Sequence, residues 1–322
     1  PGSYPISAAG FVLNNDGKGN FTDVTATVAP AFAKAGIVYD LQWSDLNGDK
    51  QPELIIAAEW MPIQVFEYKN GQFQDATGNY GLENLKGFWR SVLAADFDGD
   101  GDMDLIGGNF GLNSRYRASD AEPLRMYAKD FDKNGSMDAI MTEMQYGHEL
   151  TMAYRDILVK QLPFVKKKFL RYTNYSNATV TDIFAASDLK EATQFSCNEV
   201  RSMYFENQGG KFIASPLPNE AQTSPIYAQL ALDLNQDGRV DWMGAGNDLG
   251  QQVETGSIDA GNGLILMSGP SKGFKPVNAR NSGFWANRQA RRMVSLKSSD
   301  GTVRVLVSNN NGPIQCFSVK GR

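Results

Sequence analysis

A short acidic loop that occurs four times constrains this chain more than any other feature. Each copy places oxygen-bearing side chains at loop positions 1, 3 and 5 and a carboxylate at position 9. The four sets are Asp45, Asn47, Asp49 and Glu53; Asp96, Asp98, Asp100 and Asp104; Asp130, Asp132, Asn134 and Asp138; and Asp233, Asn235, Asp237 and Asp241. Alternate residues of a curled loop point inward, and calcium takes about six to eight oxygen ligands. The spacing therefore predicts up to four calcium sites.

Two other loop positions complete the prediction. Position 7 would contribute its main-chain carbonyl, so its side chain is free to vary. The residues at this position are Gln51, Asp102, Ser136 and Arg239. Position 6 favours glycine, which adopts a positive φ without a steric penalty. The first loop has Lys50 at this position, and it ends in Glu53 instead of aspartate, so it is the weakest match. Asp, Asn and Gly also form ordinary turns, but four copies with the same offsets favour metal binding.

The residues around each loop predict strands. An EF-hand would need flanking helices and a bidentate glutamate at the twelfth position, whereas these loops end at the ninth. The segments on either side are short apolar runs, for example Ser91–Ala95 before the second loop and Leu105-Ile106 after it. Short apolar runs bounded by turn residues are typical of buried strands. Each acidic loop is therefore predicted to connect the two strands of a β-hairpin.

A second motif alternates with the first. Asn-Gly turns follow the acidic loops, as in Lys69-Asn70-Gly71, and such turns between strands are a strong hairpin signal. The first two acidic loops start 51 residues apart, which is the length of one four-stranded propeller blade. The expected fold is all-β, a β-propeller of four-stranded antiparallel blades. About five blades are countable: the outer two strands of one in 4–27, a whole one in 37–78, a further one that starts in 88–113, the one that holds Asp233 and runs to about Pro276, and a last repeat in 292–319.

The repeat pattern is interrupted once. Residues 146–199 show a helical pattern and are expected to form a helical insertion within a single propeller domain spanning residues 1–322. The blade of the second loop is either incomplete or uses residues 114–123 irregularly, and Met203–Asn207 is expected to resume the interrupted third repeat. The last repeat, 292–319, carries Ser298-Ser299-Asp300-Gly301 without the ligand set, so no metal is expected there. The start at Pro1 suggests a chain truncated at its N-terminus.

Composition excludes some classes of function. No apolar run approaches the length of a membrane span. Four divalent cations would add eight charges and bring the formal net charge from −5 to about +3, so the acidity belongs to the loops. Clustered basic residues with interleaved aromatics, the footprint of nucleic-acid binding, are lacking. Lys166-Lys167-Lys168 and Arg288…Arg291-Arg292 are expected to be solvated. Cys197 and Cys316 could form a disulfide or remain as two thiols.

The acidic loop, of the form D-x-D/N-x-D/N-G-x-x-D, and the Asn-Gly turns together resemble the FG-GAP/VCBS repeats, which include the calcium-binding blades of integrin α-subunit propellers. The chain looks most similar to bacterial proteins that carry such repeats, often with an ASPIC/UnbV-type segment. This resemblance covers most of the chain outside 146–199. It implies a propeller, usually of seven blades, with calcium in the hairpin loops. It also implies an extracytoplasmic location: the bacterial surface, association with the outer membrane, or secretion.

Two functions remain open at this stage. The leading hypothesis is a non-enzymatic binding or scaffold module for a protein or glycan partner, because long loops on a rigid scaffold commonly carry function. The candidate segments are 111–123, 146–199 and 247–263. The alternative is a polysaccharide lyase or hydrolase on a propeller scaffold. Its candidate residues would be His148, Glu149, Tyr154, Arg155 and Asp156.

Overall fold

All four acidic loops connect neighbouring antiparallel strands, as predicted. The computed structural model describes residues 4–251, 255–269 and 273–319. Its strands are β1 (Leu13–Asn15), β2 (Phe21–Asp23), β3 (Ile37–Ser44), β4 (Glu53–Met61), β5 (Gln64–Lys69), β6 (Gln72–Asp75), β7 (Gly87–Phe88), β8 (Ser91–Ala95), β9 (Asp104–Gly108), β10 (Leu124–Lys129), β11 (Asp138–Gln145), β12 (His148–Thr151), β13 (Thr193–Cys197), β14 (Met203–Asn207), β15 (Phe212–Pro216), β16 (Ala228–Leu232), β17 (Asp241–Ala245), β18 (Leu264–Ser268), β19 (Phe274–Asn278), β20 (Ala290–Lys297), β21 (Val303–Asn309) and β22 (Gly312–Val319).

The helices are short. They are α1 (Thr25–Val28), α2 (Arg155–Gln161), α3 (Phe164–Lys168), α4 (Tyr172–Tyr175), α5 (Val180–Ile183), α6 (Ala186–Glu191) and α7 (Ala279–Ser282), with 3-10 turns at Pro30–Lys34, Thr77–Tyr80 and Asn219–Gln222. Five of them, α2 to α6, lie within the predicted helical segment 146–199. Within the described residues, no helix combines the length and the apolar character that crossing a membrane would require.

The chain divides into two units. Unit 1 comprises Tyr116–Glu199 with the N-terminal segment that ends at Ala9, and unit 2 comprises Gly10–Arg115 with Val200–Arg322. Unit 1 therefore starts well before the predicted insertion and includes the third acidic loop. Its sheet has the strand order β12-β11-β10-β13, and helices α2 to α6 cover one face. Leu158, Val165 and Ile183 pack there against Tyr127 and Ile140 of the sheet.

The described part of unit 2 contains four sheets of three or more strands. The first sheet is β3-β4-β5-β6 with β7 beside β4, the second is β8-β9-β14-β15, the third is β16-β17-β18-β19, and the fourth is β20-β21-β22. The first strands of these sheets lie side by side: β8 lies next to β3 and β16, and β20 lies next to β16. Four-stranded antiparallel blades with adjacent inner strands form the predicted β-propeller architecture. The strands β1 and β2 form a separate hairpin.

The second sheet corrects one expectation from the sequence. Its outer strands are β14 and β15, which follow unit 1 in the chain, and β14 pairs with β9 through Tyr204 opposite Ile106. Met203–Asn207 therefore completes the blade of the second loop and does not resume the blade of the third. The blade of the second loop is therefore complete, and residues 114–123 contribute no strand to it. Strand β14 pairs with the available edge of β9 although the two strands are far apart in the chain. The prediction from sequence order therefore assigned β14 to the wrong blade.

The core of unit 2 lies between the faces of neighbouring sheets. Alternate residues of β9 point to opposite sides: Leu105 packs with Trp89 and Phe205 towards the first sheet, whereas Ile106 packs with Trp242 and Leu266 towards the third. This period of two is the pattern of a strand that is buried on both faces. A blade covered on one side only would expose half of these side chains, so each sheet needs its neighbours.

Glycines permit the close approach of neighbouring segments near the inner strands. A Cβ atom on Gly108 would lie 2.3 Å from the carbonyl oxygen of Ile226, and one on Gly246 would lie 2.2 Å from that of Pro225. Both distances are far below van der Waals contact, so these positions exclude any side chain. The two cysteines form no disulfide among the described residues: Cys197 is buried in unit 1, and Cys316 is exposed in unit 2.

Candidate metal centres

The first residue of each acidic loop organises the loop backbone. In the second loop, the Asp96 carboxylate accepts hydrogen bonds from the amides of Gly99 and Gly101 at 2.7 and 3.1 Å. The equivalent aspartates of the other three loops accept two backbone bonds at 2.8–3.1 Å. Both donors in each loop are backbone amides that lie three to five residues ahead. This ring of donors curls the backbone around the first carboxylate in the same way four times.

Positions 3 and 5 repeat a smaller turn. Each side-chain oxygen accepts a bond from the amide two residues further on, at 2.7–3.2 Å. This geometry is an Asx turn, for which Asp and Asn are the suited residues. The sixth residue has a positive φ in every loop, including Lys50 at 67°. The departure of the first loop from glycine therefore leaves its conformation unchanged, although the left-handed region costs a lysine free energy.

The ninth residue anchors the loop to its sheet. Glu53, Asp104, Asp138 and Asp241 are all buried and accept a bond from the amide of loop position 2 at 2.8–3.1 Å. Burial raises the pKa of each of these carboxyls above its ordinary value. A buried carboxylate is costly unless it is paired or bound to a metal. A cation in each loop would stabilise the ionised form of the ninth-position carboxyl of that loop.

The carboxylates of the second and third loops converge. One oxygen from each of Asp96, Asp98 and Asp104 lies within 4.8 Å of the other two, and the same holds for Asp130, Asp132 and Asp138. In the first and fourth loops, asparagine takes the third position, and its amide oxygen replaces one carboxylate. Hard oxygen donors at this separation suit calcium, which prefers carboxylate and carbonyl oxygens.

The side chain at position 7 is a separate case in the second loop. The Oδ1 atom of Asp102 is buried without a hydrogen-bond partner among the described residues. Burial raises the pKa of Asp102 to about 6, and the nearby Asp100 adds to the shift. A bound cation would offset both effects, so the residues present fit a divalent ion. The sequence analysis assigned only the main-chain carbonyl of this position to the site.

Residues outside the loops support them, and the sequence analysis missed these. Asp104 also accepts bonds from the amide of Asn207 and the hydroxyl of Tyr204, both at 2.8 Å. The side-chain amide of Asn207 donates to the carbonyls of Leu46 in the first loop and Met103 in the second, at 2.9 and 3.1 Å. Asn207 thus joins two neighbouring loops. In the sequence, Asn207 begins an Asn-Gln-Gly-Gly stretch, and nothing in that stretch indicates contact with two acidic loops.

The residues proposed for an enzyme do not form one cluster of free groups. Glu149 accepts bonds from Arg125, Tyr127 and Thr142 at 3.0, 3.0 and 2.6 Å, so its carboxylate is fixed against β10 and β11. The side chain of Arg155 donates to the carbonyl of Phe169 and to Asp156. His148 lies exposed at the start of β12. These contacts connect strands and helices of unit 1.

Comparisons with known proteins found one family match and several similar solved structures. Residues 45–107 match the FG-GAP-like repeat family, and they span the first and second acidic loops. No curated protein sequence matches the chain. Two solved structures, both crystal structures of BBS1N in complex with ARL6DN, soaked with lead or with mercury, share 9% identity with it. Their TM-scores are 0.34 and 0.36, and the alignments cover 86% and 88% of this chain.

The chain spans about half the length of those solved chains, 54% and 55%. Nothing in these comparisons bears on an ASPIC/UnbV-type segment. The family match includes both strands that flank the second loop and the ninth-position residues Glu53 and Asp104. The chain thus contains an FG-GAP-like repeat at residues 45–107, within an architecture of four-stranded antiparallel sheets typical of a β-propeller.

Proposed function

We propose that this chain is a calcium-stabilised, non-enzymatic binding or scaffold module. The observation that carries the proposal is the repeated loop geometry: four loops adopt one hydrogen-bonded conformation, and two of them bring three carboxylates within 4.8 Å. Each loop joins the first two strands of a sheet, so a bound ion would fix the hairpin at its turn. The proposed ligands are the side chains at positions 1, 3, 5 and 9, with the position-7 carbonyl.

The expected contribution of calcium to stability is large. Extracellular calcium modules bind with a Kd of about 10⁻⁴–10⁻³ M. At roughly ten times the Kd, one site adds about 1.4 kcal/mol to the free energy of unfolding by linkage. The three sites of unit 2 would together add about 4 kcal/mol, which is a large fraction of the net stability of a domain. Stabilisation is therefore a sufficient role for the ions, without any catalytic one.

The metal proposal is tested by calcium content and thermal unfolding. Protein dialysed against calcium should retain up to four ions by elemental analysis, and EDTA should lower the melting temperature in a way that calcium reverses. The Asp96→Asn and Asp130→Asn variants should each lose one ion, because position 1 is aspartate in all four loops and each change removes a carboxylate from a converging cluster. Asp300→Asn, in the fourth-sheet hairpin that lacks the ligand set, is the matched control. Calcium-free protein with an unchanged melting temperature would refute the proposal.

The proposed binding segments are 111–123, 146–199 and 247–263, of which residues 252–254 lie outside the described residues. Apolar side chains are unusually exposed in the second segment: Tyr146 is 98% and Leu170 77% exposed, and Tyr154 and Tyr172 are each 58% exposed. Exposed aromatic residues are enriched where proteins bind partners. The partner class we propose is a protein.

The binding proposal is tested with purified protein that carries a photo-crosslinking residue at Tyr146. Cross-linked partners should disappear with Leu170→Ser and Tyr172→Ser, whereas Ile213→Ser, on an exposed strand of unit 2, should leave them unchanged. Equal cross-linking in all variants would count against this surface. We further propose an extracytoplasmic location, because millimolar calcium is available there and would saturate sites of the expected affinity. Cell fractionation of the native organism tests the location.

A further inference from the structure

A basic cavity lies where the first strands of the four unit 2 sheets begin. Its volume is about 280 Å³. It is lined by Tyr39 and Asp40 of β3, Arg90 just before β8, Tyr227 just before β16, and Arg291 and Arg292 of β20. Each of the four sheets contributes to the wall. The acidic loops contribute none of these residues, so the cavity is separate from the proposed metal sites.

Arg90 is the buried cation of this cavity. Its side chain is 5% exposed, and its guanidinium carbon lies 4.1 Å from the ring centre of Tyr39 and 4.7 Å from that of Phe110. One nitrogen, Nη2, donates to Glu59 at 3.0 Å. The other two, Nε and Nη1, have no hydrogen-bond partner among the described residues. Buried donors are nearly always satisfied in folded proteins, so these two nitrogens point to a missing acceptor.

The other two arginines differ in their partners. The guanidinium of Arg291 lies 4.1 Å from the ring centre of Tyr227 and donates to the carbonyls of Asn247 and Ala290 and to the side chain of Gln289. All three acceptors are neutral, so its charge is not neutralised by direct contact. Arg292 forms an ion pair with Asp40. These arginines were expected to be solvated from the sequence, but Arg291 is held against the cavity wall.

The acidic groups around the cavity are already bonded. Asp40 accepts from Arg292 and from the amide of Val92. Behind the lining, Glu59 accepts from Arg90 and Tyr39, and Asp248 accepts from the hydroxyl of Tyr227. The lining itself carries three guanidinium groups and one carboxylate. Because Arg292 is paired with Asp40 and Arg90 with Glu59, Arg291 is the cation of the lining that forms no ion pair among the described residues, and Arg90 adds two N–H donors without an acceptor.

Two backbone irregularities coincide with this wall. The pairing of β3 with β4 shifts register between Val38 and Asp40, and the pairing of β20 with β21 shifts between Ala290 and Arg292. The residues displaced by these bulges are Tyr39 and Arg291, and both line the cavity. A bulge turns a side chain away from its regular direction, and bulges are common next to functional sites. Two separate strands thus use the same device to direct an aromatic and a basic side chain to one place.

We propose that this cavity binds a small oxyanion, the carboxylate or the sulfate- or phosphate-like group of a small molecule. Arg90 supplies the buried N–H donors, Arg291 supplies the unneutralised charge, and the two tyrosine rings hold the guanidinium planes in position. Arginine is suited to this role because its planar donors match oxyanion geometry. The volume is just below the usual range for small-molecule sites, about 300–1,000 Å³, so the ligand is small.

The test is calorimetric titration of the calcium-loaded protein with sodium sulfate and, separately, sodium succinate, at ionic strength matched with sodium chloride. Saturable binding of at least one of them is expected, with no response to chloride. Arg291→Gln should weaken binding at least tenfold. Arg90→Lys keeps a positive charge but loses the planar donors, and it should also weaken binding at least tenfold. Whichever of the two probes binds more tightly identifies the class of anion.

The matched control is Arg304→Gln, which removes the same charge from an exposed position of β21. It should bind both anions as the wild type does, with less than a twofold change. Circular dichroism and tryptophan fluorescence check that each variant is folded. If Arg90→Lys does not fold, Arg291→Gln alone tests the proposal. Absence of saturable binding to either probe, or equal binding by Arg291→Gln and the wild type, would overturn the proposal. Calcium content is measured on the same samples, so failure of this site and failure of the metal sites are distinguishable.

Discussion

Replacement of Asp104 by asparagine separates the structural role of an acidic loop from its proposed role in calcium binding. The Asp104 carboxylate is 0% exposed. One oxygen accepts from the amide of Phe97 at 3.1 Å and the hydroxyl of Tyr204 at 2.8 Å, and the other accepts from the amide of Asn207 at 2.8 Å. Asparagine has the same shape but only one acceptor oxygen. Its amino group would face at least one backbone or hydroxyl donor.

The magnitude follows from two separate terms. A buried donor left without its acceptor costs about 1–3 kcal/mol of unfolding free energy. Loss of one calcium site costs about a further 1.4 kcal/mol when calcium is at roughly ten times the Kd. Asp104→Asn should therefore lower the free energy of unfolding by about 2.5–4.5 kcal/mol in calcium and by about 1–3 kcal/mol in EDTA. The difference between the two conditions is the calcium term.

Urea unfolding followed by tryptophan fluorescence measures both values. All five tryptophans lie in unit 2, as does Asp104, so the signal reports the unit that contains the substitution. The control is Asp300→Asn, in the hairpin between β20 and β21, where Asp300 accepts a bond from the amide of Thr302 at 2.9 Å. Asp300→Asn should lower the free energy of unfolding only slightly, and by the same amount in calcium and in EDTA. An equal loss for Asp104→Asn in the two conditions would refute the assignment of Asp104 as a calcium ligand.

Three further predictions concern backbone strain, crowding and pH. Lys50→Gly should stabilise unit 2 by about 0.5–1 kcal/mol, because it relieves a left-handed lysine at the entropic cost of a glycine, and Gly238→Lys should show the opposite sign in the same urea assay. Gly246→Ala should cost about 1–3 kcal/mol or prevent folding, since its Cβ would lie 2.2 Å from the carbonyl oxygen of Pro225, whereas Gly78→Ala, whose nearest atom is at 3.9 Å, should be nearly neutral. In EDTA, the free energy of unfolding should rise as the pH falls from neutrality towards the ordinary carboxyl range, because burial raises the pKa of the ninth-position carboxyls and the folded state keeps protons that the unfolded state has released. In calcium, protons compete with the ion, so the calcium-dependent part of the stability should shrink over the same range; a pH-independent difference between calcium and EDTA would contradict this.

The hairpins were predictable from the sequence because their determinants are local. The loop from Asp96 to Asp104 fixes its own conformation through bonds between residues at most seven positions apart. Leu105 and Ile106 are consecutive apolar residues whose side chains point to opposite faces of a strand, so they indicate a strand that is buried on both faces. The four-stranded sheets then follow, because each hairpin must cover its apolar faces.

The partner of β9 and the cavity residues depended on contacts between distant segments. Tyr204 and Asp104 are 100 residues apart, and Arg292 and Asp40 are 252 residues apart. No periodicity links such positions. Arg291 resembled a solvated arginine because the bulge that directs it to the cavity arises from the pairing of β20 with β21, which the sequence pattern does not record.

The split second sheet has a consequence for synthesis of the chain. Strand β9 leaves the ribosome long before its partner β14, and the Tyr116–Glu199 part of unit 1 is made between them. Until Tyr204 and Asn207 emerge, the edge of β9 has no neighbour on that side, and Asp104 has no anchor beyond its own loop. Closing such a long loop is entropically costly, and contacts between distant segments form late. During synthesis, the edge of β9 therefore stays unpaired until β14 is made. Early folding of Tyr116–Glu199 would bring the two ends of that segment together through the pairing of β10 with β13, and β14 would then pair with β9 sooner.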